Sequence, residues 1–138
     1  MENEISIYCD GGSRGNPGPA ASAFVVFGGS EIVHQSGKEI GITTNNVAEY
    51  SAVILALEWL KTQKLFSPSS INFFLDSELV AKQLTGHYRI KNAKLKILAV
   101  KVKSLEKEIG KNIFYRIIPR GKNSLADALV NEALDKTL

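Results

Sequence analysis

Residues 5–19 read ISIYCDGGSRGNPGP, a short apolar alternation that ends in an acid and runs into glycine and proline. Because alternation of this kind is typical of a half-buried strand, we predict a strand that ends at Asp10. The glycines and prolines of 11–19 predict a long turn that favours neither helix nor sheet. A second strand is predicted at 21–27, with a two-glycine hairpin into a third strand near 31–37. The chain therefore begins with an antiparallel meander.

The rest of the chain alternates between helical and strand patterns. Apolar residues recur at helical spacing near 46–63, 77–84, 92–109 and 124–136, and the last segment offers Leu125, Leu129 and Leu134 to the core. Apolar runs at 71–75 and 113–118 predict two more strands, and strands joined through helices run parallel. The predicted fold class is α/β, a five-stranded mixed sheet with three antiparallel strands, then parallel strands, and helices on both faces.

Length and composition narrow the class of protein. The 138 residues fit one domain, 1–138, and 44% hydrophobic with 22% charged residues is typical of a globular protein. The sequence contains no apolar run of the ~20 residues needed to cross a bilayer, and its start lacks a signal-peptide pattern. The single cysteine, Cys9, excludes an internal disulfide. We expect a cytoplasmic protein with no membrane partner and, by default, a monomer.

The net charge of +3 is unevenly distributed along the chain. Residues 1–81 carry nine carboxylates against four lysines and arginines, whereas 82–122 carry twelve lysines and arginines against two glutamates. A solvated helix face would explain such a run of charge. A basic segment beside an acidic cluster is also what an enzyme acting on nucleic acid needs. Contacts with phosphates supply most of the non-specific affinity for nucleic acid.

Four acids lie where the predicted chain order brings them to one edge of the sheet. Asp10 ends the first strand, Asp76 follows the strand at 71–75, and Glu49 and Asp127 lie in the first turns of their helices. Taken singly, each has a structural explanation as a turn residue or helix cap. Together they form a cluster of hard oxygen ligands, which favours Mg²⁺ or Mn²⁺ over zinc.

Two loops beside these acids are suited to a nucleic acid. The glycines of 11–19 let backbone N–H groups approach a phosphate or ribose closely, and Thr44, Asn45 and Asn46 precede or begin a helix. Asparagine and threonine both donate to and accept from a 2′-hydroxyl, the group that distinguishes RNA from DNA. Ordinary helix capping is the alternative explanation for at least one of them.

These motifs resemble the type 1 ribonuclease H signature. The resemblance is carried by YCDGGSRGNPGP at 8–19, TTNNVAEY at 43–50, LDSEL at 75–79 and IPRGKNSLADALVNEA at 118–133. The motifs occur in the family's order from about residue 5 to 135. The first two are long and specific, whereas Asp-Ser-Glu alone is weak. The element order predicted above agrees with the fold that the resemblance implies.

The resemblance implies hydrolysis of the RNA strand of an RNA·DNA hybrid with two Mg²⁺ ions, leaving 5′-phosphate and 3′-hydroxyl ends. Asp10, Glu49, Asp76 and Asp127 would be the catalytic metal ligands, with Asp10 shared by both ions. Asn16, Asn45 and Asn46, with the backbone of Gly11, Gly12 and Ser13, would contact the 2′-hydroxyls of the RNA strand. Thr44 is a further candidate from its side-chain chemistry. The DNA strand would be held through its phosphates.

The chain departs from the family pattern in two places. The histidine that many members carry before the last helix is absent from 119–123, where Arg120 or Lys122 could offset charge; His34 and His87 lie elsewhere and are expected at the surface. Some members also insert a basic, tryptophan-containing helix for which 85–91 leave no room; Trp59 is expected to pack in the core. We expect the insert to be partly replaced by Arg89, Lys91, Lys94, Lys96, Lys101 and Lys103.

Three alternatives remain open at this level. The same fold supports other nucleases and strand-transfer enzymes, because fold alone does not fix function. A non-catalytic module that binds hybrid or RNA would explain the basic segment without turnover. A structural domain whose acids are helix caps would leave the glycine-rich loop and the separation of charge without an explanation.

Overall fold

A computed structural model describes residues 4–63 and 68–136. Five strands form one sheet in the order β3-β2-β1-β4-β5: β1 Glu4–Ser13, β2 Gly18–Gly28, β3 Glu31–Thr43, β4 Ser70–Leu75 and β5 Asn112–Ile117. The first three strands pair antiparallel, and β1–β4 and β4–β5 pair parallel. The predicted mixed sheet is therefore confirmed.

Four helices connect or follow these strands: α1 Asn45–Lys61, α2 Glu78–Leu84, α3 Ala93–Ile109 and α4 Ser124–Asp135. The side chains of Thr44, Ser77 and Asn92 cap the first three by accepting hydrogen bonds from backbone N–H groups of the first turn. A 3₁₀ turn at Arg120–Lys122 leads into α4. Among the described helices, none has the length and apolarity that a membrane span requires.

The strands bury side chains on both faces of the sheet, and each face is covered by different helices. Ile5 and Ile7 of β1 pack with Phe73 of β4 in the larger core, which α1 and α3 complete. On the other face, Ala21 and Ala23 of β2 belong to a smaller cluster with Val130, Ala133 and Leu134 of α4. The expectation of helices on both faces is confirmed.

The turn after β1 is shorter than the glycines and prolines predict. Gly11, Gly12 and Ser13 continue the antiparallel ladder opposite Ser22, Ala21 and Ala20, so only residues 14–17 lie between the strands. The prediction of an unpaired segment over 11–19 was wrong because the partner strand, with its small side chains, extends the pairing past the glycines. β3 is also longer than predicted and ends at Thr43.

Leu125 and His34 lie in environments other than those expected, whereas Trp59 lies where it was predicted. Leu125 is 48% exposed and contributes little to the core that it was expected to join. His34, expected at the surface, is half-buried and stacks on Trp59 with ring centroids 4.6 Å apart. Trp59 packs against the larger core, as predicted.

Candidate metal and nucleic-acid site

Three carboxylates from three elements converge at one edge of the sheet. Asp10 lies in β1, Asp76 directly follows the last residue of β4, and Glu49 lies in α1. Because β1 and β4 are parallel neighbours whose pairing ends at Cys9 and Leu75, the next residues, Asp10 and Asp76, lie together. One oxygen of each carboxylate lies within 4.8 Å of the others. The structure therefore joins three of the four acids that the sequence singled out.

Glu49 reaches this cluster from the second turn of α1, and not from the first. The helix begins at Asn45 because Thr44 provides the cap, its Oγ1 accepting from the Val47 N–H at 3.3 Å. The expectation that Glu49 lies in the first turn of its helix is therefore wrong. The buried Ser22 hydroxyl of β2 donates to the Ala48 carbonyl at 2.6 Å, which ties α1 to the sheet beside Glu49.

The cluster is strongly acidic, and Asp10 and Glu49 are buried. Burial, followed by the charge of Asp76, raises the pKa of Asp10 to about 7. Burial and the charge of Asp10 likewise raise the pKa of Glu49. The buried Oε2 of Glu49 has no hydrogen-bond partner among the described residues. An unpartnered carboxylate oxygen among converging acids fits a divalent cation, since hard oxygen donors are what Mg²⁺ and Mn²⁺ bind.

Asp127 lies on the same cleft but farther from the centre of the cluster. It is an exposed residue in the first turn of α4, and its charge contributes to raising the pKa of Asp10. The Nδ2 group of Asn131 donates to the Asp127 carbonyl at 3.1 Å and to its Oδ2 at 3.4 Å. The carboxylate therefore lies at the solvent side of the cleft, where a ligand could reach it.

The β1–β2 loop and the start of α1 are joined by asparagine side chains. Ser13 donates to Asn45 Oδ1 through its backbone N–H at 2.9 Å and its hydroxyl at 3.1 Å. The Asn45 N–H in turn donates to Asn16 Oδ1 at 3.0 Å. The side-chain oxygens of Asn45 and Asn16 both accept hydrogen bonds within the protein. Their NH₂ groups therefore remain to donate to a ligand.

The cleft has a volume of about 370 Å³ and is lined by most of the predicted site residues. Asp10, Glu49, Asp76 and Asp127 line it together with Gly11, Gly12, Ser13, Asn45, Asn46 and Arg120. Thr44 acts as a helix cap, and Asn16 contacts the cleft through Asn45.

The cleft also holds residues that the sequence did not single out. Arg14 pairs with Asp135 at 2.7 Å, and Ser77 and Asn131 complete the wall. Ser77 directly follows Asp76, and Asn131 lies one helical turn after Asp127. This proximity to the acids is the sequence signal that could have identified both residues.

The basic residues expected to replace the absent insert lie outside this cleft. Arg89, Lys91 and Lys94 are exposed in and around the segment that joins α2 to α3. Ion pairs of Lys101 with Glu58 and of Lys61 with Glu108 show that α1 and α3 run in the same direction. The start of α3 therefore lies toward the end of the molecule where α1 begins beside the cleft.

Two lysines of the predicted basic set are already engaged. Lys103 donates to the Leu84 carbonyl at 2.7 Å and pairs with Glu106, and Lys101 lies 3.6 Å from Glu58. These contacts reduce the charge that either lysine presents to a phosphate, which leaves the residues before and at the start of α3 as the stronger candidates.

Comparison with known proteins gives one consistent result. The family model for RNase H matches residues 2–135. A ribonuclease HI of Halobacterium salinarum is 43% identical over 132 residues, which cover 95% of this chain and 64% of that protein. A bifunctional protein of Mycobacterium tuberculosis is 38% identical over 134 residues, which cover 96% of this chain and 36% of that protein.

Solved structures agree in fold over nearly the whole chain. The crystal structure of LC11-RNase H1 in complex with an RNA/DNA hybrid has a TM-score of 0.92 at 43% identity, covering 96% of this chain and 98% of that one. RNase H1 of Halobacterium salinarum has a TM-score of 0.88 at 42% identity, covering 96% and 98%. The chain belongs to the ribonuclease H family. It spans roughly a third of the length of the mycobacterial relatives and about two thirds of the halobacterial one.

Proposed function

We propose that the chain is an endoribonuclease that hydrolyses the RNA strand of RNA·DNA hybrids and leaves 5′-phosphate and 3′-hydroxyl ends. The observation that carries the proposal is the convergence of Asp10, Glu49 and Asp76 within 4.8 Å at the floor of a cleft. The cleft also has amide donors on its wall. Converging buried carboxylates repel one another, so a bound cation would account for their position, and the amide donors beside it would suit a ribose.

The four carboxylates would hold two Mg²⁺ ions, with Mn²⁺ as a substitute. Asp10 is the candidate for a ligand shared by both ions, as the resemblance to the family implies. Two divalent ions would supply charge stabilisation to the attacking and leaving oxygens of an in-line displacement. The protein's own part is to hold Glu49 and Asp76 against Asp10 in a buried setting, and to present Asp127 from the solvent side.

The polar wall of the cleft would recognise the RNA strand. The amide NH₂ groups of Asn16 and Asn45 can donate to 2′-hydroxyls, and Asn46 lies beside them. Backbone groups of Gly11, Gly12 and Ser13, and the α1 N-terminus that Thr44 caps, complete this wall. The hybrid in the LC11-RNase H1 complex supports this substrate class. Arg120 would contact a phosphate beside the carboxylates, and Arg89, Lys91 and Lys94 would contact the DNA strand.

We further propose that residues 1–138 act as one catalytic domain and as a monomer. The sheet and its four helices are built from consecutive elements of this chain, which supports a single domain. The molar mass of the active protein, measured by analytical ultracentrifugation, tests whether it is a monomer.

The first experiment compares cleavage of labelled substrates in Mg²⁺. Wild-type protein is incubated with an RNA·DNA hybrid, single-stranded RNA and duplex RNA. The Asp10→Asn variant is compared with Glu39→Gln, which removes the same charge from an exposed position on β3. We expect cleavage of hybrid RNA alone, lost in Asp10→Asn and kept in Glu39→Gln. Binding of hybrid without cleavage in Mg²⁺ or Mn²⁺ would replace this proposal with a non-catalytic binding module.

A further inference from the structure

Asn123 has a buried polar side chain that contacts one carboxylate of the cluster. It lies between the 3₁₀ turn and α4, is 1% exposed, and has a side chain that reaches across the sheet edge. Its Nδ2 group donates to the Cys9 carbonyl at 2.7 Å and to Asp76 Oδ2 at 3.0 Å. One amide therefore contacts both the residue before Asp10 and the carboxylate of Asp76.

The orientation of this amide is determined by its neighbours. A carbonyl oxygen and a carboxylate oxygen both require a donor, so the NH₂ group must face them. The Oδ1 atom is consequently buried, and it has no hydrogen-bond partner among the described residues. Burying an amide with one end unsatisfied costs stability, which indicates that the contacts of the other end have a use beyond folding.

The side chain does not perform the task that is usual for asparagine at this position. Asn123 immediately precedes α4, where asparagine commonly caps the helix, yet its side chain makes no capping hydrogen bond. Its backbone carbonyl accepts from the Asp127 N–H at 3.1 Å. The Asn123 side chain thus contacts the strand that carries Asp10 and the Asp76 carboxylate, and its backbone contacts Asp127.

We propose that Asn123 is a positioning residue that fixes the Asp76 carboxylate for cation binding. By holding Oδ2, it restrains the plane of the carboxylate, which contributes one oxygen to the cluster with Asp10 and Glu49. The proposal rests on the proposed function, because it assumes that this cluster binds a divalent cation. Outer partners of metal ligands commonly change metal affinity or activity by ~10–100-fold, and an effect in that range is expected here.

The test measures cation binding without substrate and turnover separately. Asn123→Ala removes the donor, and Asn123→Asp keeps the size of the side chain but replaces the donor with an acceptor. Leu105→Ala is the control for lost stability, because Leu105 is buried in α3 away from the cleft. Calorimetry with Mn²⁺ on substrate-free protein, the Mg²⁺ dependence of hybrid cleavage and thermal unfolding are recorded for all four proteins.

We expect both Asn123 variants to bind Mn²⁺ ~10–100-fold more weakly and to need correspondingly more Mg²⁺ for half-maximal cleavage. Leu105→Ala should unfold at lower temperature with unchanged cation binding. Asn123 variants that lose stability but keep wild-type cation binding would overturn the proposal, since Asn123 would then be structural only. If the wild-type protein itself bound no cation and left hybrid intact, the proposed function would fail as well, which is a distinguishable result.

Discussion

Gly11 lies directly against the backbone of Ala48. A Cβ atom on Gly11 would stand 2.5 Å from the Glu49 nitrogen and closer still to the carbonyl group of Ala48. The strand that carries Asp10 and the helix that carries Glu49 therefore approach more closely than any side chain at position 11 would allow. This contact brings two like charges together in a buried place, which folding alone would not favour.

Replacing Gly11 by alanine should separate the strand from the helix. Gly11→Ala is expected to lower the free energy of unfolding by roughly 2–3 kcal/mol or more, because backbone atoms cannot yield as a side chain can. Urea denaturation measures this loss. Gly12→Ala is the matched control, since its Cβ would meet only Val130 Cγ1 at 3.7 Å, and we expect a change within about 1 kcal/mol. Equal losses in the two variants would contradict the close approach as the cause.

The metal-free protein should lose stability as the pH rises, because of Asp10. This carboxyl has an ordinary pKa of 3.8, and burial with the charge of Asp76 raises the pKa to about 7 in the folded chain. Below about pH 4 both states hold the proton, so there is no penalty. Between pH 4 and 7 the folded state holds a proton that the unfolded chain has released, and above 7 the native state carries the full repulsion.

Asp10→Asn isolates this contribution. In the presence of a chelator, we expect the variant to be more stable than wild type at pH 8 by on the order of 1–3 kcal/mol, with little difference at pH 4. Thermal unfolding at several pH values gives both curves, and Glu39→Gln controls for the change in net charge. Saturating Mg²⁺ should cancel the wild-type deficit at pH 8. A constant difference between wild type and Asp10→Asn from pH 4 to 8 would refute the assignment.

The parts of the site that the sequence predicted are those that depend on local pattern and chain order. Alternation predicted strands ending near Asp10 and Asp76; β1 in fact continues to Ser13, but its parallel pairing with β4 ends just before both acids. The sequence did not predict that Gly11 pairs within the ladder, because whether a glycine-rich segment pairs depends on its partner strand. Glu49 was placed one turn too early, because Thr44 competes with Asn46 as the helix cap.

Contacts between residues far apart in the chain could not be read from pattern at all. The Asn123 amide contacts a carbonyl 114 residues away, and Arg14 pairs with Asp135 across 121 residues. Asparagine before a helix commonly caps it, but the structure gives the Asn123 side chain other partners. Only the packing of α4 against the sheet determines which polar groups this side chain meets.

Arg120 and Lys122 lie in different pockets of the structure, although the sequence indicated both as candidates to offset the negative charge of the carboxylates. Arg120 lines the carboxylate cleft, whereas Lys122 lies in a different pocket with Tyr8 and Phe27. Arg120→Ala is expected to lower kcat/KM for hybrid cleavage about tenfold, because a phosphate entering the acidic cleft loses one cationic side chain. Lys122→Ala should stay within about twofold of wild type in the same steady-state assay. Similar losses for both variants would show that only overall charge matters.

The residues before and at the start of α3 should determine the salt dependence of hybrid binding. Lys91 and Lys94 are exposed at the end of α3 that lies toward the cleft, whereas Lys107 and Lys111 are exposed at the opposite end. Reversing the charge of the first pair is expected to weaken binding and to reduce the slope of log K against log salt by about 1–2, since each lost phosphate contact removes about 0.9 from that slope.

The second pair provides a control of equal charge. A protein with Lys107→Glu and Lys111→Glu has the same net charge as one with Lys91→Glu and Lys94→Glu, so a difference between them reports position alone. Binding is measured by fluorescence anisotropy from low to moderate salt, with the Asp10→Asn substitution in both proteins to prevent cleavage. If the two double variants share one slope, long-range attraction rather than contact at this segment accounts for binding, and the DNA strand must be held elsewhere. A reduced slope in the Lys91 and Lys94 variant alone would assign the contact to the segment that replaces the missing basic helix.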